Sequence, residues 1–143
     1  MMDENNVDAI YEFGRDIAVS SREAGIRNVC TLFNSQRIDE KGRILSKKIQ
    51  NMQFSDEQKE FIKLLVVDSI DVAMVSLFID FQESMGKYKI VTNDKQGQPF
   101  DIVTESDGLP YGYLEFIDEF SKYNTADEFL ETGELEKVQE GSK

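Results

Sequence analysis

Asp68 and Asp71 stand three residues apart in the most apolar part of the chain. On a helix that spacing turns both carboxylates to one side. Phe61, Val72, Val75 and Ile79 share the angular sector of Asp68, so its carboxylate is expected to be partly desolvated. Such a pair could ligate a metal or act as a general acid. It could equally pair with arginines of the first helix or reach solvent through a gap in the packing, and structural ion pairs are the commoner case. Glu115, Asp118 and Glu119 form a second acidic set, at i, i+3 and i+4. They flank Phe116, Ile117 and Phe120, which is what the solvated side of an amphipathic helix looks like.

Composition removes much of the remaining chemistry. The chain has no histidine and one cysteine. A Ser-His-Asp triad, a Cys-His dyad, an HExxH zinc site and a Cys/His finger are all excluded. A di-metal carboxylate bundle cannot be completed without its Glu-x-x-His motifs. An all-carboxylate Mg²⁺ site stays open as an alternative, but nothing marks a catalytic residue, a metal ligand set or a cofactor. Asp94-Lys95-Gln96-Gly97 and Ser106-Asp107-Gly108 look like pieces of calcium loops without the ligand spacing, so turn chemistry accounts for both. Gly14, Gly25 and Gly42 are too far apart to make a phosphate loop. Cys30 sits among Ile26, Val29 and Phe33, a setting for an inert buried thiol.

The charge pattern carries the functional reading. The chain has 28 acidic and 16 basic residues, a formal net charge of -12. Residues 1–54 are neutral, with eight acids and eight bases, whereas 55–143 hold twenty acids and eight bases. From Asp101 onward twelve acids face only Lys122, Lys137 and Lys143. Nucleic acid and anionic membrane both require clustered Lys and Arg, so neither is expected as a partner. Tyr111, Tyr113, Phe116, Phe120 and Tyr123 lie among these acids. Tyrosine beside carboxylate suits a surface complementary to a basic protein. Tyr111 and Tyr123 are the expected anchors there, with Glu115, Asp118 and Glu119 steering, while Phe116 and Phe120 are expected in the core.

In size and charge, though in no specific motif, the chain resembles bacterial immunity proteins and antitoxins. That resemblance implies a small acidic inhibitor that covers a basic, nuclease-like toxin. The alternatives are a carboxylate and Mg²⁺-dependent enzyme centred on the long helix, or a helical scaffold or ligand-binding domain. The acidic start MMDENNVDAI lacks the features of a signal peptide, and a single cysteine, with no second one in the chain to form a disulfide, fits a reducing compartment, so a cytoplasmic location is expected.

The elements that position these residues follow from periodicity. With 143 residues, one domain over 1–143 is expected. Val7, Ile10, Tyr11, Gly14, Ile17, Ala18 and Ser21 predict a first helix, with Asn6 as its cap. Ile26, Val29, Cys30 and Phe33 predict a second helix or a kinked continuation after Gly25, and Asp39 caps a third. Ser55 and Gln58 form a capping box before a long helix over 56–84, stopped by Gly86. Its apolar residues point all round, so it is expected to be central and buried on several sides. Tyr88–Thr92 and Phe100–Thr104 predict a two-stranded β-hairpin over 88–104. A turn at Ser106–Pro110 leads to a helix carrying Tyr113, Phe116, Ile117 and Phe120. Thr125 and Glu128 box a last helix that Gly133 ends, and the tail from Glu134 is expected to fray. The class is α+β, mostly α, with about five helices around the helix at 56–84.

Overall fold

The computed structural model describes residues 4–106 and 108–138. Asp107 of the expected turn, and the terminal QEGSK, lie outside the described residues. The fold is α+β and mostly α, with one long helix and one two-stranded antiparallel sheet. In chain order the elements are α1 (Glu4–Phe13), a π-helical segment (Gly14–Val19), α2 (Ser20–Phe33), α3 (Glu40–Met52), α4 (Asp56–Glu83), β1 (Val91–Asn93), β2 (Pro99–Asp101), α5 (Ile102–Glu105), α6 (Leu109–Phe120) and α7 (Ala126–Thr132). Packing gathers them into two units. One comprises the chain up to Ser21 with Asp71–Lys122; the other comprises Arg22–Ile70 with the chain from Tyr123 onward.

In the first unit, Ile10, Ala18, Phe78, Ile102, Tyr113 and Ile117 are among the buried core residues. The first helix differs from its expected form in two ways. Asn6 is not its cap but a buried residue inside α1. The π segment, with one extra residue in its turn, shifts the phase, so Val19 is buried and Ile17 is exposed. Gly14 lies in that segment against Phe116, where a Cβ would come within 2.5 Å of the ring.

The hairpin is shorter than expected. Val91 pairs with Asp101, Thr92 with Phe100 and Asn93 with Pro99. The Asp94 carboxylate accepts the N–H groups of Gln96 and Gln98, both at 2.8 Å, which is turn chemistry. Lys95 reaches Asp8 at 2.8 Å and Gln96 reaches Asn5 at 3.0 Å, tying the loop to α1. The second strand stops at Asp101 because its side chain accepts the N–H of Val103 at 3.1 Å and the Thr104 hydroxyl at 2.9 Å. Residues 102–105 turn helical there, where β-branched composition predicts strand.

In the second unit, Ile26, Val67 and Tyr123 are buried together, with Cys30, Ile70, Ala126 and Leu135 packed around them. Gly25 does not break α2; it gives Ile70 room, since a Cβ there would lie 2.6 Å from its Cδ1. Arg22 is fully buried and donates to the carbonyls of Tyr123 at 3.3 Å and Asn124 at 2.7 Å. The caps expected at Asp39, Ser55 and Thr125 are formed. Residues 134–136 are held rather than frayed: Asn124 donates to the Leu135 carbonyl at 2.8 Å, and Tyr123 and Glu136 form a bridge.

The long helix departs most from expectation. Val67 and Phe78 are buried, but Phe61, Leu65, Val72, Leu77 and Ile79 are exposed. All-round apolarity here does not mean burial on several sides. An apolar stripe of α4 faces outward.

Candidate docking surface

Helix α6 positions four of the five expected contact residues. Gly108, at φ +102°, starts the helix, Pro110 occupies its first turn, and the backbone turns extended at Ser121. Leu109, Tyr113, Phe116 and Ile117 point into the core of their unit, so helical geometry turns the opposite side to solvent. Tyr111, Glu115, Asp118 and Glu119 lie on that exposed side, and Tyr111 is 78% exposed. Phe116 is buried and Phe120 half-buried, as expected for core residues.

Tyr123 is not part of this surface. It is 4% exposed, because α6 has ended and the chain carries it into the second unit's core with Ile26 and Val67. Its aromatic ring is a packing element, and its burial leaves it no contact surface to offer as an anchor.

Tyr111 stands between two depressions of the first unit. One, of about 160 Å³, is lined by Ile10, Tyr11, Leu109, Gly112, Glu115 and Phe116, among others. The other, of about 390 Å³, is a groove between α4 and α6, lined by Val75, Ile79, Gln82, Glu83, Pro110 and Leu114. Ile79 and Leu114 are 37% and 45% exposed, respectively. Their exposure is not what the sequence leads one to expect, because apolar helical residues ordinarily belong to a core. The available signal was the acids beside them, Asp80, Glu83, Glu115 and Asp118, which a buried helix pair would seldom carry. Glu119 borders a further shallow site with Asp8, Tyr11, Glu12 and Arg15. Arg15 is held there by Asp16 at 2.7 Å, which raises the guanidinium pKa and lowers that of the carboxyl.

The other acidic pair is separated by its surroundings. Asp71 accepts the Tyr113 hydroxyl at 2.8 Å, while Asp68 is exposed, so the expected desolvation of Asp68 does not occur. Among the described residues, no three of His, Cys, Asp and Glu gather as a group able to hold a metal ion. No helix among them is long and apolar enough to cross a membrane. Cys30 is half-buried in the second unit.

Charge is concentrated in the unit that carries α6. Over its two stretches that unit has fifteen acids and five bases, net -10, against thirteen and eleven, net -2, in the other.

No protein-family model, curated protein or solved structure matches the chain.

Proposed function

We propose that this chain is a small acidic binding protein that docks on a basic protein and blocks it, in the manner of an immunity protein or antitoxin facing a nuclease-like toxin. One observation carries the reading: Tyr111, Glu115, Asp118 and Glu119 share the exposed side of α6, in the unit that holds net -10. Carboxylates on such a surface attract a basic partner and orient its approach. A nuclease is basic where it holds phosphate, so an acidic surface competes for that site. Tyr111 supplies a large, rigid contact with a polar tip. Binding energy concentrates in a few aromatic or arginine side chains, so the tyrosine holds while the acids steer.

The test is a pull-down from the source cell, followed by association kinetics with the recovered partner over a range of salt. The on-rate should fall steeply as salt rises. Amide substitutions at Glu115, Asp118 and Glu119 should slow association, and Tyr111→Ala should speed dissociation. A partner that binds independently of salt, or with kinetics indifferent to all four substitutions, overturns the reading.

A further inference from the structure

The groove beside Tyr111 has a shape and a charge that together define its occupant. We propose that the groove between the Asp71–Glu83 part of α4 and α6 takes a basic amphipathic helix of the partner; this rests on the docking reading above and deepens it. Val75 and Ile79 are one turn apart on one wall, and Pro110 and Leu114 are one turn apart on the other. Apolar groups at one-turn spacing on both walls suit the i, i+3, i+4 and i+7 ridge of a third helix. Tyr111, Gln82 and Glu83 complete the lining.

Charge selects among possible partners. Glu83 is the charged residue that lines the groove; Asp80 on α4 and Glu115, Asp118 and Glu119 on α6 add to its acidic surroundings. Asp71 is engaged by the Tyr113 hydroxyl, and neither the 71–83 stretch nor α6 contains a lysine or arginine. A second copy of this chain laid on the groove would set these acids against their own kind, and an anionic membrane would be repelled. A helix with an apolar stripe flanked by Lys and Arg satisfies both the walls and the rim.

The probe is a synthetic 18-residue helix of leucine and lysine, with leucines at i, i+3, i+4 and i+7, compared with a scrambled peptide of identical composition. Fluorescence anisotropy against the full chain should show saturable binding that weakens with salt. The scrambled peptide should bind at least about tenfold more weakly, as should the patterned peptide to Ile79→Ser or Leu114→Ser. Glu83→Gln should reduce the salt dependence. Both apolar positions are half-exposed, so these variants should keep the parent melting curve, and Tyr111→Ala gives an independent loss of affinity if either does not. Amide shift changes on peptide addition should centre on 72–83 and 109–118. Shift changes confined elsewhere, equal binding of the scrambled peptide, or undiminished binding to the serine variants overturn the proposal. So does a concentration-dependent dimer that Ile79→Ser dissolves, since a second copy would then be the occupant. If the peptide ignores the groove but Glu115, Asp118 and Glu119 still govern the natural partner's on-rate, the groove fails and the docking reading stands. If the groove binds the peptide but the natural partner is salt-independent, the docking reading fails instead.

Discussion

Asp39 holds the start of α3 by accepting the Gly42 N–H at 3.1 Å, while Arg37 donates to the same carboxylate at 2.6 and 2.9 Å. The Arg37 hydrogen bonds first, and the Gly42 amide second, pull the Asp39 carboxyl from 3.8 down to about 2. A carboxyl depressed in the folded state stabilises it fully above the unfolded pKa. The contribution should therefore be intact above pH 3.8 and disappear as pH falls through about 2. A ¹³C titration of the Asp39 carboxyl should find that low midpoint, and Arg37→Gln should move it back up. A midpoint near 3.8 in the parent chain would refute the pairing. Gly14 makes a second residue-scale case. In an open helix Gly→Ala is stabilising by roughly 0.5–1 kcal/mol. Here the added carbon would meet the Phe116 ring at 2.5 Å inside the core. Gly14→Ala should instead cost about 1–3 kcal/mol in denaturant unfolding, the usual cost of overpacking. Caps such as Asp39, Ser55 and Thr125 were legible because a cap is decided within four residues. The burial of Tyr123 was not, because it depends on Ile26 and Val67, far away in sequence.

The long helix shows what an element's pattern can and cannot specify. Its start was readable from the Ser55 box, which is local. Its end at Glu83 comes slightly before the expected stop, with Met85 already left-handed at φ +53° ahead of Gly86. Which side packs was not readable, because apolar residues all round leave no polar stripe to mark solvent. Its near-uniform pattern hides a division: Phe78 is 2% exposed, Leu65 49%. Phe78→Ala should cost about 3–5 kcal/mol, as core aromatic truncations do. Leu65→Ala should cost less than about 1 kcal/mol, because a half-exposed side chain leaves no sealed cavity. Chemical denaturation of the two variants measures both; equal losses would mean that the outward stripe is covered. The second strand failed for a related reason. β-branched Ile102, Val103 and Thr104 favour strand, yet the Asp101 carboxylate offers Val103 a helical start, and Ile102 is fully buried in the resulting turn.

Net acidity was plain from composition, but its location was not. Dividing the sequence after residue 54 makes everything beyond it look like one acidic surface. The folded units divide the chain elsewhere: Asp127, Glu128, Glu131, Glu134 and Glu136 belong to the second unit, beside its eleven bases. The first unit, assembled from two separate stretches, keeps fifteen acids against five bases. Among those bases, Arg15 is paired with Asp16 and Lys95 with Asp8. Like charges at this density repel within the folded unit and relax when it opens. Salt should therefore stabilise the two units unequally. The Debye length shrinks from about 30 Å at about 10 mM salt to about 8 Å at about 150 mM, which screens repulsion between exposed carboxylates. Exposed ion pairs weaken over the same range, but such pairs contribute at most about 1 kcal/mol each. Native-state hydrogen exchange reads the units separately. Raising salt should slow exchange at Phe78, Tyr113 and Ile117 in the acidic core more than at Ile26 and Val67 in the near-neutral one. Equal slowing at both sets would mean that repulsion is spread over the whole chain. Faster exchange in the acidic core would mean that its ion pairs outweigh its repulsion, and the acids would then be holding that unit together as well as facing a partner.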